Sequence, residues 1–218
     1  MLPIMDVSRW QGSIDWGKVK ASGLVSGVML RALGNSAKDE PSKPYIDPYF
    51  ARNYRECQRL GIPCGVYYYC KAVNTAEADA ELALLRKVLT GKTVQLPVAV
   101  DIEDGYVQAP LDKQTMTDIA AHALDAIEQM GFYAMLYTGL YFGQMNLYIG
   151  GAALKPYDVW LAAYRSKKPE PGWPFGLWQY TSTARVPGVS GDVDLSHAYK
   201  YYEKIIAKKG LTRLREGA

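Results

Sequence analysis

Asp101 and Glu103 close the apolar run Leu96-Pro97-Val98-Ala99-Val100 and stand two residues apart. Side chains alternate along a strand, so this spacing puts both carboxyls on one face, with backbone positions roughly 6–7 Å apart. A near-continuous hydrophobic run reads as a strand buried on both faces, as in a parallel sheet, and its acidic end marks where the sheet stops. There, desolvation and mutual repulsion raise the pKa of one carboxyl while the other stays ionised, an arrangement suited to general-acid catalysis. The same D-x-E also reads as a cap or a surface cluster at a strand end, so the remaining elements must decide.

Those elements alternate short apolar runs with amphipathic helices. Pro3–Val7 reads as a strand ending at Asp6, followed by a short helix around Asp15–Ser22, and Leu24–Ala32 reads as a second strand ending at Arg31. After a polar loop, Ser36–Pro44, the pair Asp47-Pro48 supplies an N-cap and a first-turn proline for a helix reaching Leu60 and closed by Gly61. Pro63–Lys71 is the third strand, and Asn74-Thr-Ala-Glu77 is a capping-box opening to a helix ending at Leu89. The carboxylate-tipped run is the fourth strand. Asp112 starts a helix through Met130, and Phe132–Thr138 is the fifth strand. Asp158–Tyr164, Gly176–Thr181 and Val189–Asp194 follow as strands with little helix between them, before a final helix over Ser196–Lys209. Eight mostly parallel strands against about five helices predict an α/β fold, a modified TIM-type barrel, forming a single domain over residues 1–218.

Barrels of this class carry their chemistry at the C-terminal ends of the strands. Those ends supply Asp6, Arg31, Tyr67 and Tyr69, Asp101 and Glu103, Tyr137, Trp160 and Tyr164, Gln179, and Asp194. Four carboxyls with one guanidinium and a ring of aromatics suit a pyranose and an oxocarbenium-like transition state. Phosphate is disfavoured because there is no Gly-rich loop, and the scarcity of His and Cys at these ends argues against acyl-transfer or transition-metal chemistry. No cofactor and no metal are expected, an all-oxygen cation site being the lesser alternative. The chain holds 17 Tyr and 5 Trp, more than packing requires and suited to stacking on sugars. A formal charge of +3 over 218 residues does not point to nucleic acid. Cys57, Cys64 and Cys70 are odd in number and lack a C-x-x-C pair, so buried thiols are expected rather than a disulfide framework or zinc site. No segment has the length of a membrane span, and the N-terminal residues lack a secretory pattern, so export is expected to depend on lysis, a holin or another route.

Seven stretches together resemble the glycoside hydrolase family 25 muramidases: Asp6-Val-Ser-Arg-Trp-Gln-Gly-Ser-Ile-Asp-Trp16, Gly65-Val-Tyr-Tyr-Tyr69, Pro97-Val-Ala-Val-Asp-Ile-Glu103, Leu136-Tyr-Thr138, Trp160-Leu-Ala162, Trp178-Gln-Tyr180 and Gly188-Val-Ser-Gly-Asp-Val-Asp194. The resemblance spans nearly the whole chain in order. It implies an eight-stranded barrel with fewer helices and cleavage of the β-1,4 bond after N-acetylmuramic acid in peptidoglycan. By position it implies Glu103 as general acid/base, Asp101 as its partner carboxylate, and Asp6 and Asp194 as supporting acids. Arg31, Tyr67, Tyr69, Tyr137, Trp160, Tyr164 and Gln179 would line the glycan groove. The implied partner is a peptidoglycan glycan strand, acted on at the cell wall by a monomer without nucleic acid or membrane insertion. Two other readings stay open: a non-catalytic glycan-binding barrel, and another hydrolase of N-acetylated glycans such as a chitin-degrading barrel.

Several residues read more plainly as structure. Tyr67, Tyr69 and Tyr137 could equally fill a barrel interior, and Trp10, Trp16 and Trp173 read as packing residues. His122 lies with Asp118 and Asp125 on the helix face opposite Ile119, Ala123 and Ile127 and is expected to be solvated. His197 is expected to open the last helix. Lys200, Lys204, Lys208, Lys209, Arg213 and Arg215 read as a solvated basic face, with contact to an anionic wall polymer as the sharper alternative.

Overall fold

The computed structural model describes residues 1–36 and 42–215. Part of the expected Ser36–Pro44 loop therefore lies outside the described residues. In chain order the elements are β1 (Leu2–Val7), a 3-10 turn (Arg9–Gln11), α1 (Trp16–Ser22), β2 (Gly27–Asn35), β3 (Pro44–Ile46), α2 (Phe50–Leu60), β4 (Cys64–Tyr69), α3 (Thr75–Leu89) and β5 (Val98–Asp101). There follow α4 (Lys113–Gln129), β6 (Ala134–Gly139), α5 (Leu140–Asn146), β7 (Asp158–Ala162), β8 (Leu177–Ala184), β9 (Val193–Ala198) and α6 (Tyr202–Lys209).

The sheet runs β1-β9-β8-β7-β6-β5-β4-β2-β3, and β1 also pairs with β2, which closes an eight-stranded barrel. β3 hangs outside it, antiparallel on the end of β2. β9 is antiparallel to both β1 and β8, while the remaining barrel pairings are parallel. This is the expected modified TIM-type barrel, with corrections in detail. Among the described residues there are six α-helices rather than about five, α5 being short and lacking a side-chain cap that would mark it in sequence. Ser196–Ala198 extend β9 instead of starting the last helix, so His197 sits on a strand, where its ring stacks on Tyr180 with centroids 4.2 Å apart. Asp47 does not cap α2. It lies before a turn, accepts the Tyr49 N–H, and turns its other oxygen to Arg31.

The local signals that did hold have visible causes. Asn74 accepts the Glu77 N–H at the start of α3, and Asp112 accepts the Gln114 and Thr115 N–H groups at the start of α4. Gly61 closes α2 in the left-handed conformation that a side chain would oppose. Cys57, Cys64 and Cys70 are free and buried. Trp16 is buried with its Nε1 donating to Asn53, as a packing residue should be, and His122 is partly exposed beside Asp79 at 2.6 Å.

Strand alternation divides the core in two. Val28, Leu30, Val66, Tyr68, Val98, Val100 and Leu136 point outward beneath the helices, whereas Ile4, Met29, Ala99, Met135, Tyr137, Trp160 and Leu177 pack inside the barrel. The interior is narrow at Gly65: a Cβ there would lie 2.4 Å from the Pro97 carbonyl oxygen, 2.8 Å from Leu96 Cβ and 2.8 Å from the Met29 sulfur. Backbone cannot yield as a side-chain tip can. Gly65→Ala is therefore expected to destabilise the fold by about 1–3 kcal/mol, the range for overpacking. A denaturant midpoint unchanged from the parent protein would refute this tight approach of β4 to the strand start beside it.

Candidate active site

The inward parity of each strand carries through to the barrel mouth, which is what gathers the polar residues. Asp6 follows Ile4 on β1, Arg31 follows Met29 on β2, Tyr67 and Tyr69 follow Gly65 on β4, and Asp101 follows Ala99 on β5. In register, Asp6 pairs with Asp194, Tyr69 with Asp101, Asp101 with Tyr137, and Tyr137 with Trp160. One cavity of about 390 Å³ is lined by all eleven residues singled out from sequence: Asp6, Arg31, Tyr67, Tyr69, Asp101, Glu103, Tyr137, Trp160, Tyr164, Gln179 and Asp194.

Two of them arrive by routes that differ from expectation. β5 stops at Asp101, so Glu103 stands on the loop beyond the strand rather than on it, although the Ile102 N–H still bonds the Tyr137 carbonyl and extends the pairing by one residue. Asp194 lies near the start of β9, not at the end of a parallel strand. Because β9 is antiparallel, its first residues share the mouth with the last residues of the other strands.

A hydrogen-bond network orients the floor. Gln179 donates from Nε2 to Asp6 Oδ2 at 3.0 Å, while its Oε1 accepts the hydroxyls of Tyr137 and Tyr164, each at 3.0 Å. Trp160 lies beneath as a plug, 1% exposed, donating from Nε1 to Ser196 at 2.9 Å and meeting Tyr137 and Tyr67 edge-on. The tyrosines thus fill the interior and line the mouth at once. Arg31 is not free: its guanidinium meets the buried Asp47 carboxylate at 2.7 Å. Asp101 presents a buried Oδ1 that has no hydrogen-bond partner among the described residues.

The electrostatics follow from crowding acids in a dry place. Burial first, then the charges of Asp194 and Asp104, push Glu103 up to about 7. Burial pushes Asp194 up to about 6. Asp101 is held well above the carboxylate range by burial, then by Glu103 and Asp6, with Arg31 opposing. Asp6 is raised by burial and by Asp194 and Glu103 against the opposing Gln179 hydrogen bond. These acids titrate as a group, and near neutrality they retain protons that isolated carboxyls would have lost.

Asp104 behaves differently and was missed as a site residue. Although burial opposes it, the N–H groups of Val107 and Tyr106, the Tyr69 hydroxyl and Lys71 hold its pKa down. It accepts the Tyr69 hydroxyl at 2.9 Å and meets the buried Lys71 ammonium at 3.2 Å, so it fixes Tyr69 at the cavity wall. Its place in the Asp-Ile-Glu-Asp run was a signal, but nothing in sequence paired it with Lys71. Trp10 was misread as a packing residue. It is 73% exposed and lines the cavity, together with Arg9, Asn35 and Tyr45.

A second cavity, of about 460 Å³, opens on the other side of Glu103 between the ends of β6 and β7, lined by Gly139, Leu140, Tyr141, Ala163, Tyr164 and Arg165 among others. Glu103 and Tyr164 belong to both cavities. Among the described residues no cluster of three or more His, Cys, Asp or Glu side chains has metal-binding geometry, and no helix is long and apolar enough to cross a membrane.

A partly dry carboxyl poised near neutrality between two cavities, at the carboxyl ends of barrel strands, is the working arrangement of glycoside hydrolases. Residues 5–189 match the Glycosyl hydrolases family 25, and the chain belongs to that family. It is 30% identical over 207 residues to Lysozyme M1 of Streptomyces globisporus, covering 87% of this chain and 65% of that protein. The bacterial lysozyme from Streptomyces coelicolor superposes with a TM-score of 0.72 at 26% identity, over 96% of this chain and 97% of that one. The modular autolysin LytC from Streptococcus pneumoniae superposes with a TM-score of 0.76 at 29% identity, over 89% of this chain and 46% of that one. The chain thus spans just under two thirds of Lysozyme M1 and under half of LytC.

Proposed function

We propose that the protein is a muramidase that hydrolyses the β-1,4 bond between N-acetylmuramic acid and N-acetylglucosamine in peptidoglycan, with Glu103 as the general acid/base. The observation that carries this reading is the position of Glu103, shared by two cavities and held near pKa 7, where a glycosidic oxygen bridging the cavities would meet its proton. Kinship with a family that includes proteins named lysozyme and autolysin supports the choice of substrate.

In this mechanism the glycone sugar occupies the acid-rich cavity and the leaving sugar the one beside Tyr141. Glu103 protonates the leaving oxygen and later deprotonates water. Asp101 is rooted two residues before Glu103 and flanks it, which is awkward for attack on the opposite sugar face. A 2-acetamido group can attack the anomeric carbon itself if a carboxylate orients its N–H and balances the developing positive charge. The unpartnered Asp101 Oδ1 is a suitable acceptor. That hydrogen bond favours the ionised carboxylate once substrate is seated. Asp6 and Asp194 then shape the field and hold water, and the product retains its anomeric configuration.

Mass analysis of digested peptidoglycan tests the bond. Fragments ending in reducing muramic acid are expected, whereas reducing N-acetylglucosamine ends, or an intact wall beside a correctly folded protein, would overturn the assignment.

A further inference from the structure

Across the mouth from Glu103, the cavity ends in a cation that the mechanism does not use. Arg9 is exposed on the 3-10 turn after β1, and its guanidinium carbon lies 4.6 Å from the Trp10 ring centroid and 5.2 Å from that of Tyr45. The turn is held rigidly. Ser8 N–H bonds Gln11 Oε1 at 2.9 Å in a reciprocal cap, and the Arg9 N–H bonds Asp47 Oδ2 at 2.9 Å. Asp47 cannot neutralise the Arg9 side chain as well, because the same oxygen is taken by Arg31 at 2.7 Å. Among the described residues no carboxylate forms an ion pair with Arg9.

Position gives this cation a meaning. Arg9, Trp10, Asn35 and Tyr45 belong to the β1, β2 and β3 side of the mouth, and in the closed barrel β1 lies diametrically opposite β6, where the second cavity opens. If the leaving sugar occupies the β6 side, Arg9 faces the glycone. A neutral sugar needs no cation, and an anionic substituent would be repelled by the four acids unless something answered its charge. A planar guanidinium held on two aromatic faces keeps its N–H edge free for a carboxylate, at reduced entropic cost.

We propose that Arg9, clamped by Trp10 and Tyr45, forms an anion-reading subsite that takes a carboxylate borne by the glycan on the glycone side. This rests on the muramidase reading, since muramic acid is what brings carboxylates to a peptidoglycan strand: on its lactyl ether when unsubstituted, or on the peptide stem when one is attached.

The test uses calorimetric binding in a Glu103→Gln background, so that ligands survive. The probes are soluble glycan fragments with stems, fragments stripped of stems, and both after carbodiimide coupling to methylamine, which removes the charge. Arg9→Gln is expected to weaken binding of a carboxylate-bearing fragment about fivefold to tenfold and leave the amidated ones unchanged. The fragment class that loses affinity identifies lactyl or stem as the source. Arg9→Lys, which keeps the charge but not the fork, should fall between. Equal weakening of charged and amidated fragments would reduce Arg9 to a stacking surface, and no weakening would overturn the subsite. Wild-type digestion of wall peptidoglycan is run alongside: cleavage with an indifferent Arg9 sinks only this proposal, while neither cleavage nor fragment binding sinks the muramidase reading and this subsite with it.

Discussion

Glu103→Gln is expected to reduce wall hydrolysis by at least ~10²-fold, the lower end of what a positioned proton donor contributes. The amide keeps the size of the side chain and removes its proton. The wild-type rate should fall as pH rises through about 7, where Glu103 loses that proton. The same residue has a stability signature of definite sign. A carboxyl whose folded-state pKa lies above its unfolded value is favourable in the native state below the unfolded pKa, and that contribution is lost as pH rises through the folded pKa. For Glu103 the window runs from its ordinary value of 4.5 to about 7. Above it, Glu103→Gln should be more stable than wild type by about 1–3 kcal/mol, an advantage that vanishes near pH 4. Melting curves at the two pH values decide this, and activity assays on the same samples separate a lost proton from a lost fold. Near-wild-type lysis by the variant would transfer the acid role elsewhere.

The second large effect belongs to Asp101. Asp101→Asn keeps an oxygen that can accept the acetamide N–H but abolishes the negative charge, so it should lower kcat by about 10²-fold or more with a smaller change in KM, as expected for a group whose charge matters most in the transition state. A thiazoline mimic of the cyclised intermediate should inhibit the wild type strongly and this variant weakly. A glycosyl ester trapped on Asp101, Asp6 or Asp194 would replace substrate assistance with direct nucleophilic attack. An inverted product would exclude both retaining routes.

Much of this site was legible before any coordinates. Carboxylates and aromatics at the ends of hydrophobic strands converge once a barrel is assumed, and the eleven residues read that way do share one cavity. Three features escaped for physical reasons. Trp10 looks like any core tryptophan, since sequence does not say that the turn after β1 lifts it into solvent. Asp104 acts through Tyr69 and Lys71, partners 35 and 33 positions away that only the packing of the β5 loop against the end of β4 brings within reach. Arg31 lines the cavity, but its ion pair is invisible until β3 and the turn after it deliver Asp47 to its guanidinium.

What the sequence by itself determined is local and periodic: alternation that sends Asp6, Arg31, Tyr67 and Asp101 inward, helix caps at Asn74 and Asp112, and the order of strands and helices that leads to a barrel. These depend on neighbours within a few residues, where backbone geometry dictates which side chains share a face. The direction of β9 emerged only in the folded chain. A short strand reads the same either way, and in the barrel β9 lies antiparallel between β8 and β1, which turns His197 from a helix start into a strand residue and brings Asp194 to the mouth by its leading end. The raised pKa values are tertiary too. No carboxyl here is unusual in its own segment, and Glu103 reaches about 7 because folding strips its water and sets Asp194 and Asp104, distant by 91 positions and by one, beside it in the same dry mouth.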